Sequence, residues 1–184
     1  MFKCKVDDRV SLKLLITKNE VELFNLIDDN REYLSEWLPW VIDNREITQT
    51  RIFIKSSLRA FAKKAGMHCG IFYDNKLVGV IGFHGFDWSN KSTSIGYWLG
   101  ESYQGKGIMF ACVKAFVRYA FVDLGLNRIE IRCAEHNIKS RSIPEKLEFK
   151  NEGLLREVEI FHKNYVNNVL YSLLASEFLN KDNI

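Results

Sequence analysis

The sequence predicts a mixed α+β domain built around one sheet. Strand-length apolar segments occur at 9–16, 67–73, 76–86, 92–99, 128–134, 154–162 and 167–175. Helical apolar spacing fills the gap between the first two and recurs at 108–124 and 138–147. The strands come mostly in runs, with one strand–helix–strand unit in the middle. No linker or internal repeat interrupts the 184 residues, so the expected organisation is a single domain over 1–184.

Residues 9–16 (RVSLKLLI) read as the first strand. Thr17 and Glu20, three apart, read as a capping box, and Val21, Leu23, Phe24, Leu26 and Ile27 form the apolar stripe of the helix behind it. A second helical piece, REYLSEW, ends before Pro39, because the residue preceding a proline avoids the α region. A third helix is expected over 48–65, with Ile52, Phe53, Leu58 and Phe61 on one apolar face. The period then changes to that of strands, and Asp74-Asn75 supplies the turn between 67–73 and 76–86. Residues 108–124 are apolar nearly all round, their few charges including Lys114 and Arg118 on one face, so this helix is expected deep against a sheet, and Gly125 stops it.

A net charge of +3 is too small to indicate a nucleic-acid surface, and it suits a small anionic ligand. Cys4, Cys69, Cys112 and Cys133 have neither zinc-ligand spacing nor the pattern of a disulfide framework. Reduced, structural cysteines in a cytoplasmic protein are expected. The segment MFKCKVDDRV lacks the apolar core of a signal peptide, and no run reaches membrane-spanning length.

The segment GESYQGKG (100–107) carries the chemistry. It follows a strand and opens a helix, where unpaired N–H groups and the helix dipole favour an anion and glycines allow close approach. A tight turn without a ligand is the alternative. A phosphate-binding loop of the magnesium–nucleotide type would need Ser or Thr at 107, and Gly107 has no hydroxyl for the metal. A dinucleotide fingerprint fails too, because Phe110 stands where its third glycine belongs.

Gln104-Gly105-Lys106-Gly107-Ile108-Met109 resembles the Q/R-x-x-G-x-G/A acetyl-CoA loop of the GCN5-related N-acetyltransferases, with Met109 departing from the small sixth residue. NIKSRSIPEKLEF (137–149) resembles the later family motif N-x-x-S-x-x-h-x-E-K-h-G-F, in which h is apolar, and departs at Glu148. NREYLSEWLPW (30–40), KLVGVIGF (76–83), IGYWLGESYQGKGI (95–108), EGLLRE (152–157) and LYSLL (170–174) are similar to the branch that acetylates the N-termini of ribosomal proteins. These pieces follow the family order along nearly the whole chain.

The resemblance implies a mostly antiparallel central sheet, splayed into a V and flanked by helices. It implies acetyl-CoA as co-substrate, with no metal. The backbone of Trp98 and Leu99 would pair with the pantetheine arm, the amides from Gln104 and Gly105 through Lys106 and Gly107 to Ile108 and Met109 would hold the pyrophosphate, and Asn137 would contact the arm. Ser140 would meet the coenzyme sulfur as acid or thiolate stabiliser, with a helix-capping serine as the alternative; the tyrosine that many relatives use falls at Pro144 here. Acyl transfer to an amine needs a proton acceptor, close placement and oxyanion stabilisation. Glu101, Glu135, His84, His136 or a water chain could accept that proton, and the residues alone do not choose. Trp37, Trp40 and His84 are expected at the acceptor groove, core packing being the alternative for the tryptophans. The expected acceptor is a protein N-terminus such as a ribosomal protein's. The alternatives are a small amine (a polyamine or aminoglycoside) and a non-catalytic acetyl-CoA sensor. No direct nucleic-acid or membrane partner is expected, and a homodimer or larger homo-oligomer is compatible with the resemblance.

Overall fold

The computed structural model describes residues 3–161 and 163–179. Its strands are β1 (Lys3–Lys5), β2 (Val10–Leu14), β3 (Met67–Tyr73), β4 (Lys76–Asp87), β5 (Ser92–Leu99), β6 (Arg128–Ala134), β7 (Lys150–Phe161) and β8 (Asn164–Leu174). The helices are α1 (Glu20–Asp29), α2 (Arg31–Ser35), α3 (Trp40–Asp43), α4 (Ile47–Ala62), α5 (Ile108–Arg118), α6 (Ile138–Lys146) and α7 (Ala175–Leu179). The strands hydrogen-bond in the order β1-β2-β3-β4-β5-β6-β8-β7. The β5–β6 pair is parallel, whereas β1–β2, β2–β3, β3–β4, β6–β8 and β7–β8 are antiparallel. The mixed α+β class expected from the sequence is therefore the one observed. The expected strand at 154–162 begins four residues earlier, at Lys150, and its last residue, His162, lies outside the described residues.

Contacts divide the chain into two compact units. The first comprises residues 1–83 and 97–112. Its core joins Leu23, Leu26 and Ile27 of α1, Leu34 of α2, Val41 of α3 and Ile54 of α4 to Leu15, Phe72, Leu77 and Val80. Asp74 and Asn75 adopt φ of 49° and 67°, the left-handed pair that a tight hairpin turn demands. Three expectations fail here. The cap of α1 is Asn19, whose side chain accepts the Ile16 N–H at 3.2 Å, while Glu20 instead binds Arg51. Val21 is exposed. On α4 the buried residues are Thr50, Ile54 and Ser57, while Ile52, Phe53 and Phe61 face outward and Leu58 is partly buried. Small Thr50 and Ser57 let this helix pack closely, and hydrophobicity alone does not reveal that face.

The second unit comprises residues 84–96 and 113–184. Ile129, Ile131 and Cys133 of β6 alternate inward beside Val169, Tyr171 and Leu173 of β8. The opposite face is charged: Arg128 pairs with Glu130 and Glu152, and Glu152 also accepts the Ser172 hydroxyl at 2.6 Å. Helix α5, shared by both units, buries Ile108, Met109, Cys112, Val113, Phe116 and Val117 and exposes Lys114 and Arg118. It is thus a striped helix rather than one buried all round. After Arg118 it widens into a π turn over Tyr119–Asp123, closed by Leu124 N–H donating to the Tyr119 carbonyl at 3.0 Å. Gly125, with φ of 65°, ends it as expected.

Candidate acyl-transfer site

In the first unit, the glycine-rich loop is held at its start and at Gln104. The Gly100 N–H donates to the Val78 carbonyl at 2.8 Å, and the Glu101 N–H to Asn30 Oδ1 at 2.9 Å. Asn30 is fixed in turn by donating to the Leu26 carbonyl at 2.8 Å. After a 3-10 turn over Glu101–Tyr103, Gln104 Nε2 donates to the Tyr33 hydroxyl, and burial raises the Tyr33 pKa, so it stays a neutral phenol. Asn30 and Tyr33 were not identified as loop supports from the sequence. The REYLSEW pattern marks their helix but not their long-range partners.

Gly105 and Gly107 have φ of 69° and 75°, a left-handed conformation that strains any other residue. A side chain added at either would meet nothing within 4 Å, so the loop leaves open space there. The first internal bond of α5 runs from the Ala111 N–H to the Gly107 carbonyl at 3.1 Å. The N–H groups of Ile108, Met109 and Phe110 are consequently the open donors of the helix start. Met109 is 8% exposed, so its side chain turns inward and leaves the backbone side clear. Lys106 Nζ lies 5.1 Å from the Tyr103 ring, and a depression of about 360 Å³ beside the loop is lined by Lys106, Gly107 and Tyr73 together with Asp7, Asp8 and Arg9, the last of which pairs with Asp74. Open amides, a helix dipole and Lys106 beside them fit a pyrophosphate.

Gly79 of β4 lies so close to β5 that a side chain there would overlap the Trp98 carbonyl and Leu99. Leu99 is buried, and Trp98 packs partly against the core and lies 6.3 Å from Trp40. Trp40 is 42% exposed and Trp37 is half-buried in the turn after α2. Core packing thus claims part of Trp98, while Trp40 keeps an open face.

In the second unit, Asn137 caps α6, its Oδ1 accepting the Ser140 N–H at 3.0 Å. Ser140 is therefore not the cap. Its hydroxyl stands 3.3 Å from Cys133 Sγ. Helix α6 is clamped by a network that sequence reading missed. Arg141 donates to the Tyr171 hydroxyl at 2.9 Å and to the Glu135 carbonyl at 2.8 Å, and Tyr171 donates to Glu145 at 2.6 Å. Burial, first, and the bond to Glu145 raise the Tyr171 pKa. Pro144 is buried within α6, and Glu148 takes φ of 61° just beyond it. That left-handed position explains why a glycine suits the motif there. Among the proton-acceptor candidates, Glu135 accepts from Asn167 at 2.9 Å, His136 is exposed, and the His84 ring lies directly over Gly96. Glu101, in the first unit, sits in an exposed turn.

A mixed sheet whose fifth strand leads through a positive-φ glycine loop into an open helix start is the arrangement expected of a coenzyme-binding acyltransferase. The family model of the acetyltransferase (GNAT) domain matches residues 9–150, and the chain belongs to that family. It is an acetyl-CoA-dependent N-acetyltransferase. It is 36% identical to YdaF of Bacillus subtilis (strain 168), a protein with the provisional name of ribosomal N-acetyltransferase, over 97% of this chain and 98% of that one. It is 28% identical to the ribosomal-protein-serine acetyltransferase of Escherichia coli (strain K12), over 91% and 94%. Among solved structures, the microcin C7 self-immunity acetyltransferase MccE in complex with acetyl-CoA and AMP superposes with a TM-score of 0.89 at 30% identity, covering 92% of this chain and 94% of that one.

Proposed function

We propose that this enzyme acetylates the N-terminal α-amino group of a protein, and specifically of a ribosomal protein, in the cytoplasm. The observation that carries the reading is near full-length similarity to relatives named for ribosomal-protein acetylation, 97% and 91% of this chain being covered. Acetyl-CoA supplies an activated thioester acyl group. In this reading the amides from Gln104 to Met109 bind its pyrophosphate, the Trp98 and Leu99 backbone aligns its arm, and Asn137 supports the arm. Ser140 donates to the sulfur as it leaves, and exposed Trp40, with Trp37, receives the acceptor chain.

A small-amine acceptor is the second reading, favoured by the 30% identity to MccE, whose structure holds AMP. A panel of ribosomal-protein N-terminal peptides, polyamines and aminoglycosides, followed by mass spectrometry and thiol release, separates the two. Acetylated peptides are expected. Exclusive acetylation of small amines would refute the first reading.

A further inference from the structure

We propose that Asn30, Arg31 and Tyr33 are positioning residues that form one bracket: they hold the glycine loop in its binding shape and carry its occupancy to α3, the helix bearing Trp40. The coupling rests on the loop reading above, in which the amides from Gln104 to Met109 hold the pyrophosphate. All residues of the bracket, the loop and α3 lie in the first unit.

The loop end of the bracket is the first support. Gly105 and Gly107 widen the conformations open to this segment, so its binding shape needs contacts from outside. Two of them come from residues three apart at the junction of α1 and α2. Asn30 Oδ1 accepts the Glu101 N–H at 2.9 Å, and the Tyr33 hydroxyl accepts from Gln104 Nε2. Asn30 is aimed rather than free to turn, because its Nδ2 donates to the Leu26 carbonyl at 2.8 Å. The first tie holds the start of the loop, and the second holds the residue that opens the amide run.

The α3 end is the second support. Arg31 lies between those two residues in sequence. Its Nη1 donates to the Val41 carbonyl at 2.6 Å and its Nη2 to the Asn44 carbonyl at 2.8 Å. Val41 is inside α3 and Asn44 caps its end, so one guanidinium holds this short helix at two points. Asp28 accepts from Arg31 Nε at 3.0 Å and keeps the fork in place. Leu26, Leu34 and Val41 share one buried core behind the bracket. Trp40 also stands 6.3 Å from Trp98, two residues before Gly100.

One turn of chain thus grips the loop with two side chains and α3 with a third. Hydrogen bonds backed by a packed core transmit a change at one end to the other. An anion that fixes the Glu101 and Gln104 positions fixes residues 30–33, and through Arg31 it fixes Val41 and Asn44. Coenzyme binding therefore orders the helix that presents Trp40, and by linkage whatever settles that helix tightens the coenzyme.

Coenzyme A alone is the probe, read by calorimetry and by hydrogen exchange with mass spectrometry, and no acceptor is needed. In the wild type, coenzyme A should slow exchange at 104–111 and also, by about 3-fold or more, at 40–45. Tyr33→Phe removes one hydroxyl; the Kd for coenzyme A should rise about 3- to 10-fold, the worth of one neutral hydrogen bond. At saturating coenzyme its loop should still be protected, while the slowing at 40–45 shrinks. Arg31→Lys keeps the charge but cannot span both carbonyls; its Kd should stay within about 2-fold of wild type while the slowing at 40–45 is lost. A residue that merely supports the fold would speed exchange equally with and without coenzyme and leave that difference intact. If Arg31→Lys melts too low to assay, Tyr33→Phe decides. Wild-type exchange at 40–45 that ignores coenzyme A, or a difference there that survives in Tyr33→Phe, overturns the coupling. A wild type that binds coenzyme A without protection at 104–111 would instead refute the loop reading, and the coupling with it.

Discussion

Asn137 Oδ1 accepts the Ser140 N–H at 3.0 Å, and the Ser140 hydroxyl then stands 3.3 Å from the Cys133 sulfur. The cap fixes where the hydroxyl sits, so the two residues separate stability from chemistry. Ser140→Ala should lower kcat by about 10- to 100-fold, the worth of one hydrogen bond to a developing charge, with little change in the KM for acetyl-CoA. Steady-state kinetics would read it, and an unchanged kcat would remove the assigned role.

Asn137→Ala should lower stability by about 1 kcal/mol through loss of the cap, whereas Asn137→Asp should largely retain it. Denaturant midpoints measure the difference. Equal losses in both variants would show that capping is not what Asn137 contributes.

Gly107 gives a sharper test of the loop. Its φ of 75° makes a Cβ costly by about 1–2 kcal/mol, yet nothing lies within 4 Å of where that Cβ would go. Gly107→Ala should therefore fold, while its methyl enters the space proposed for the pyrophosphate. Acetyl-CoA affinity should fall about 10-fold or more in calorimetry, a loss of about 1.4 kcal/mol. An unchanged affinity would mean that the anion binds elsewhere.

The loop was legible from sequence because glycine reports backbone conformation directly, and Gly105 and Gly107 do take positive φ. The hairpin at Asp74-Asn75 was legible because Asp and Asn tolerate the left-handed conformation that a tight turn needs. What stayed hidden depends on partners distant in sequence. Gln104 meets Tyr33, and Arg141 meets Tyr171, across separations that no local pattern encodes. Helix α4 misled for another reason: its close packing uses Thr50 and Ser57, while larger apolar residues such as Ile52 are left outside. Strand β1, three residues reading Lys-Cys-Lys, is too short and too charged to announce itself.

The Arg128–Glu152 pair sets an acid-stability prediction. Hydrogen bonds from Arg128 and then Ser172 lower the Glu152 pKa to about 2. A carboxylate whose folded pKa is depressed stabilises the fold above its ordinary pKa, and this contribution is lost as pH falls toward about 2. The Glu152 side chain is 36% exposed, so solvent screening holds its worth below about 1 kcal/mol. Glu152→Gln should be slightly less stable at neutral pH and indistinguishable from wild type at the acid end. A constant difference across that range would assign the effect to packing instead.

The cysteines decide whether thiol release can be read cleanly in the activity assay. Cys69, Cys112 and Cys133 are buried and Cys4 is half-exposed. Burial pushes the Cys112 pKa up to about 12 and raises that of Cys69 further still, so neither forms thiolate at neutral pH. Thiolate is the reactive form, and Cys133, though beside Ser140, is 4% exposed. A disulfide reagent should therefore titrate one thiol rapidly in the folded protein and the other three only after denaturation. Rapid labelling of a second thiol, located by peptide mapping, would contradict the burial of the cysteine it marks. At Cys133 it would also show that reagents reach the Ser140 hydroxyl from solvent.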